Sequence, residues 1–131
     1  MNVIVAIDSL KGSLSSLQAG AAAKAGILRA IPDAIVSVKP VADGGEGTVT
    51  ALVSGLSGRS VTIAVTGPLG ETVEATYGIL PDHTAVIEMA EAAGLPLVPA
   101  EKRNPMNATT YGVGEMILHA LDEGCRSFII G

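Results

Sequence analysis

Two short loops concentrate acids, small residues and a lysine: Asp8-Ser9-Leu10-Lys11-Gly12-Ser13 and Ala42-Asp43-Gly44-Gly45-Glu46-Gly47-Thr48. In the first, Lys11 offers a mobile cation for a phosphate or carboxylate, and Ser9 and Ser13 add hydroxyls. A helix N-terminus following such a loop favours anions. The same letters also suit a capped turn with a solvated lysine. In the second loop, three glycines fall within four residues. Glycine is costly in chain entropy, so this density suits backbone that approaches a ligand closely or takes positive φ. Asp43 and Glu46 can orient Mg²⁺, accept a hydrogen bond from a substrate hydroxyl, or take its proton. The alternative is a tight turn whose acids merely favour the next helix start.

The flanking elements give these loops their meaning. Asn2–Ile7 is a short apolar run ended by an acid, which predicts a fully buried strand. Ser15 and Gln18 have capping-box spacing, and a helix is expected to about Ala30, with Leu17, Ala21, Ala25 and Leu28 on its apolar stripe. Gly20 and Gly26 weaken that helix by about 1 kcal/mol each relative to Ala unless close packing needs them. Ile35–Lys39 predicts a second strand, and Thr48 to about Leu56 a second helix. Each polar loop thus lies between a strand and a helix. In α/β proteins the ligand site gathers outside the carboxyl ends of parallel strands.

The pattern changes at Ser57-Gly58. Ser60–Thr66 and the alternation Val73, Ala75, Tyr77, Ile79 flank the turn Gly67-Pro68-Leu69-Gly70, which predicts a β-hairpin. A strand over Thr84–Met89 is expected next, then an irregular stretch over 91–108. A helix from about Thr110 to Glu123 follows, capped by Asn107 or Thr109 and stopped at Gly124. The closing run Ser127–Ile130 is rich in Phe and Ile and predicts a buried strand. The expected fold class is α/β: a Rossmann-like β-α-β-α start over residues 1–58, then a hairpin and further α/β elements of a second domain over 59–131.

Two further segments carry chemical groups. In Arg103-Asn104-Pro105-Met106-Asn107-Ala108-Thr109-Thr110-Tyr111-Gly112, Arg103 can hold a carboxylate, and Thr109 and Thr110 can donate hydrogen bonds at a helix start. A plain capped loop fits equally well. Glu88 sits in an otherwise apolar strand, so it is either an edge residue facing water or a site carboxylate. Several signatures are missing. There is no G-x-x-x-x-G-K-[ST] P-loop and no G-x-G-x-x-G, and Cys125, His83 and His119 are too scattered for a metal framework. His119 and Cys125 are read as structural.

Composition narrows the class. The 131 residues are 48% apolar and 16% charged, which is globular rather than disordered. Net charge is −5, with no dense Lys/Arg cluster and few aromatics, which argues against nucleic acid. No apolar stretch approaches the roughly 20 residues that span a bilayer. A start without a basic n-region and a single cysteine fit a cytoplasmic protein.

Taken in order, four pieces resemble the type I glycerate kinase family: Asp8-Ser-x-Lys-Gly-Ser13, Ala42-Asp-Gly-Gly-Glu-Gly-Thr48, Glu88-Met-Ala-x-Ala-x-Gly94-Leu95, and Asn104-Pro105 leading to Thr109-Thr110-Tyr111-Gly112-x-Gly114-Glu115. Leu10, where Phe is usual, and Val41, where Met or Leu is usual, are mild departures. Members of the family are much longer, so the chain resembles the N-terminal portion of such an enzyme. The resemblance implies that later sequence completes the Rossmann-like domain. It implies transfer of the ATP γ-phosphoryl to a hydroxyl of D-glycerate with Mg²⁺. It implies Lys11 on the transferring phosphate or the substrate carboxylate, and Asp43 as hydroxyl-orienting base or Mg²⁺-associated acid with Glu46 in support. Asp8, Ser9, Gly44 and Gly45 would line the substrate, and Arg103, Thr109 and Thr110 would close the site. The isolated chain would then be inactive and prone to self-association through open sheet edges. The alternative is a non-catalytic module that binds a small carboxylate or phosphate, or completes the fold of another chain.

Overall fold

The computed structural model describes residues 1–10 and 13–131. Lys11 and Gly12 lie outside the described residues. The element order is β1 (Asn2–Ile7), α1 (Ser16–Ala30), β2 (Ile35–Pro40), α2 (Thr48–Leu56), β3 (Arg59–Thr66), β4 (Thr72–Ile79), β5 (Thr84–Ile87), α3 (Ala90–Ala93), α4 (Tyr111–Asp122) and β6 (Ser127–Ile130). Three short 3₁₀ turns occupy the stretch between α3 and α4. The class is α/β, as expected. β1 and β2 form a two-stranded parallel sheet, and the other strands form a four-stranded sheet in the order β3-β4-β5-β6. β3–β4 and β4–β5 are antiparallel, whereas β5 and β6 are parallel, with Thr84 opposite Ser127.

Local chemistry sets the helix ends. Ser15 caps α1 with the full reciprocal box: its hydroxyl accepts from Gln18 N, and Gln18 Oε1 accepts from Ser15 N. α4 begins after Thr110, which makes no side-chain cap, while the Thr109 hydroxyl accepts from Tyr111 N at 3.1 Å. Gly124 ends α4 in the left-handed conformation.

Three expectations about burial change. The stripe of α1 that packs on the sheet is Ala19, Gly20, Ala23 and Ile27; of the expected stripe Leu28 is partly buried, whereas Leu17, Ala21 and Ala25 are exposed. The reason is close approach: a β-carbon at Gly20 would collide with Val38 Cγ1, so small residues, not large ones, make this contact. β1 is not fully buried. Val3 and Val5 are partly covered, but Ile4 is 72% and Ile35 71% exposed, because α1 covers one face of the two-stranded sheet and the other is open. β6 is also largely open, with Ile129 and Ile130 exposed, because it is the outer strand of its sheet. β5 ends at Ile87 rather than Met89, where the backbone already turns helical into α3.

The core lies on both faces of the four-stranded sheet. On one, Tyr77, Ile79, Ala85 and Ile87 pack against Val113, Met116 and Ala120 of α4. On the other, Val86 and Leu80 pack against Val49, Leu52 and Val53 of α2. Gly78 is required there, since a β-carbon would lie 2.5 Å from Val53 Cγ2. Among the described residues no helix is long and apolar enough to cross a membrane.

The two α1 glycines should respond oppositely to alanine. Gly26→Ala, which meets open space, should raise stability by up to about 1 kcal/mol. Gly20→Ala should lower it by about 1–3 kcal/mol through overpacking. Denaturant midpoints of the two variants check this, and equal shifts would contradict the packing.

Candidate functional site

The carboxyl ends of β1 and β2 are tied together before the site begins. Ser16, the first residue of α1, donates its hydroxyl to Ile7 O at 2.6 Å and accepts from Val41 N at 3.3 Å. The loops after the two strands therefore start from one fixed point. Between them opens a cavity of about 550 Å³. Ser9, Ser13, Ser15 and Ser16 line one side, and Glu46, Gly47, Val49 and Thr50 another. The third side comes from the four-stranded sheet: Thr76 of β4, Glu88 just past β5, and Glu91 of α3.

Both helices open their first turns onto this cavity, since Ser16 and Leu17 of α1 and Val49 and Thr50 of α2 line it. Helix N-termini carry partial positive charge and favour anions. The third wall is acidic, and its carboxyls are held by backbone. Glu88 is only 5% exposed and accepts from Val49 N at 2.7 Å. Glu91 accepts from Thr76 N at 3.0 Å. Among the described lining residues none is basic.

The glycine loop bends through two positive-φ residues, Gly44 (φ 103) and Gly47 (φ 92). Asp43 Oδ1 accepts from Gly45 N at 3.1 Å, and Thr48 donates to and is anchored on Gly45 O. Asp8 Oδ1 accepts from Ser9 N at 2.6 Å, which orients the start of the first loop.

Of the residues singled out in the sequence, Ser9 and Glu46 line the main cavity. Gly44 lines a smaller hollow of about 350 Å³ with Val41, Ala42 and Thr48 on the other side of the same loop. Asp8, Asp43 and Gly45 belong to the two loops without lining the main cavity. Lys11 falls outside the described residues. Arg103, Thr109 and Thr110 are not brought to the cavity: Arg103 Nε donates to Val98 O at 3.2 Å, and Thr109 N donates to Pro68 O at 2.9 Å. Sequence reasoning passed over Ser16, Thr76 and Glu91, which carry no motif of their own. Glu88 was visible as the lone acid of an apolar run, and the structure makes it a cavity residue.

Neither His119 nor Cys125 lines the cavity. The Tyr77 hydroxyl of β4 lies 2.9 Å from His119 Nδ1 of α4. Burial pushes the Tyr77 phenol upward, helped by nearby Glu123 and Cys125. Burial likewise raises the Cys125 thiol, with Arg59 opposing. On the surface, Arg59 holds Glu123 at 2.6 Å and keeps its carboxyl below the ordinary range.

The glycerate kinase family profile matches residues 3–131. The chain belongs to the glycerate kinase family. It is 53% identical to the glycerate kinase of Bacillus subtilis (strain 168) over its whole length, which covers 35% of that protein. It is 50% identical to the glycerate 2-kinase of Escherichia coli (strain K12), with the same coverage. A crystal structure of a protein assigned as glycerate kinase 2 from Salmonella typhimurium LT2 superposes with a TM-score of 0.84 at 48% identity, covering all of this chain and 36% of that one. The chain thus spans about a third of the length of the relatives it matches and corresponds to their N-terminal portion.

A raised pKa leaves little reactive thiolate, and Cys125 is fully buried. A thiol reagent at mildly alkaline pH should label this cysteine only after denaturant is added. Rapid labelling of the native protein would contradict the placement.

Proposed function

We propose that this chain forms the hydroxyl- and phosphate-facing walls of a glycerate kinase, which transfers the γ-phosphoryl of ATP to a hydroxyl of D-glycerate. The observation that carries the reading is convergence. The loops after β1, β2 and β5 meet at one cavity that carries hydroxyls and carboxyls among apolar side chains, and two helix N-termini open onto it. Family membership supplies the reaction class.

The chemistry suits these residues. Phosphoryl transfer asks for positioning and charge neutralisation more than for covalent catalysis. Helix N-termini and loop amides can receive phosphate oxygens. The acidic wall cannot seat an anion by itself, so glycerate and ATP need cations. Lys11, in the loop after β1, is the cation this segment offers. Asp43, and Glu46 beside it, would orient or deprotonate the attacking hydroxyl.

Mg²⁺ fits this donor set. Among the described residues no group of three or more His, Cys, Asp or Glu is placed to hold a metal. Mg²⁺ needs no such cage: one or two carboxylates plus substrate phosphates and water are its usual ligands. Asp43 and Glu46 would supply hard oxygens from one turn of three glycines. When bound, the ion would neutralise charge on the transferring phosphoryl.

A coupled assay of ADP release with D-glycerate, ATP and Mg²⁺ tests the reading. A protein of full family length carrying this segment should turn over, and the 131-residue chain alone should not. Lys11→Ala and Asp43→Asn in the longer protein should each lower kcat about 100-fold or more. Near-normal kcat in both variants would sink the residue roles. A thermal shift with glycerate and no turnover in the longer protein would favour a non-catalytic binding module instead.

A further inference from the structure

We propose that Glu88 is a positioning residue for the phosphoryl-transfer site: it holds the glycine loop in place through the Val49 amide, with Gly131 as a second point of support. This rests on the glycerate kinase reading above.

Helix α2 cannot finish its own N-terminus. Its N-cap is Gly47, which has no side chain to accept an orphan N–H. Thr48 N turns back to Gly45 O at 3.2 Å, and Val49 N is left for an outside partner. Glu88 Oε1 takes it at 2.7 Å, from 39 residues further along the chain. Strand parity brings the carboxyl there. Val86 faces α2 and packs on Val49, and Glu88 lies two residues on. An acid this buried is expensive unless hydrogen-bonded, and an apolar residue would pack as well against Val49. The acceptor oxygen is what an apolar residue would lack.

The second support is Gly131. Its N–H donates to Ile87 O at 2.9 Å and its carbonyl accepts from Met89 N at 2.8 Å, so it continues the β5–β6 pairing. A β-carbon at this position would run into the Gly44 carbonyl oxygen. The ends of β5 and β6 therefore touch the glycine loop at Gly44 and the helix that follows it at Val49. Glu46 lies between these two contacts, and Asp43 adjoins the first. A displacement of about 1 Å in such a loop can cost about 100-fold in rate.

The test uses three variants in a glycerate kinase of full family length carrying this segment. Glu88→Met keeps the side-chain length and removes the strong acceptor. Glu88→Gln keeps an acceptor oxygen. Gly131→Ala pushes on Gly44. Glu88→Met and Gly131→Ala should each lower kcat about 10- to 100-fold, while Glu88→Gln stays within about threefold of the parent. Hydrogen exchange should accelerate about tenfold or more over residues 44–51 in Glu88→Met, with α4 unchanged. Glu88→Gln falling as far as Glu88→Met would overturn the proposal, because charge rather than the acceptor would then matter. So would parental kcat and exchange in Glu88→Met, or acceleration spread equally through α4. An unmodified protein that fails to phosphorylate glycerate would defeat the functional reading alone, since the local exchange pattern still decides whether Glu88 and Gly131 hold the loop.

Discussion

Helix α2 has Gly47 at its N-cap, and a glycine has no side chain to accept an amide of the first turn. The loop that must bend sharply enough to present Asp43 and Glu46 leaves the next helix with an unsatisfied amide at Val49. The Glu88 carboxyl supplies the missing acceptor from another sheet. Removing such a partner from a buried amide costs about 1–3 kcal/mol. More than stability is at stake, because the bond joins the parallel pair β1–β2, through its following loop, to the parallel pair β5–β6. The aliphatic contacts of Val49, Leu52 and Val53 also hold α2 to the four-stranded sheet, but they are non-directional.

That junction explains where the cavity lies. Ligand sites form outside the carboxyl ends of parallel strands, and this segment has two such pairs. Their ends meet from opposite sides: β1 and β2 tied by the Ser16 hydroxyl, β5 and β6 tied by the backbone of Gly131. Hydroxyls and helix N-termini come from the first pair, and the buried Glu88 and half-buried Glu91 from the second.

What was legible in the sequence was local. The Ser15–Gln18 box, the hairpin around Gly67–Gly70, and the stop at Gly124 depend on residues a few positions apart, and the chain forms them as the spacing predicts. The two polar loops were also legible, because glycine density and strand–helix context are chain properties. Tertiary choices were not. The packed stripe of α1 follows small residues because Val38 demands room at Gly20, and hydrophobicity alone points to the wrong face. The exposure of Ile4 depends on which face of the sheet α1 covers. For Glu88, sequence could pose the alternatives, edge or site, but its partner lies 39 residues away and only the packing of β5 on α2 selects it.

The distance along the chain between Gly47 and Glu88 also has a consequence for how the segment assembles. Contacts between residues far apart in sequence form late, because loop closure must come first. During synthesis the glycine loop emerges well before its supports at Glu88 and Gly131. The α1 capping box and the β3–β4 hairpin can form in that interval from neighbouring residues, but the loop cannot settle. The glycine loop therefore cannot gain its support at Val49 until β5 is in place.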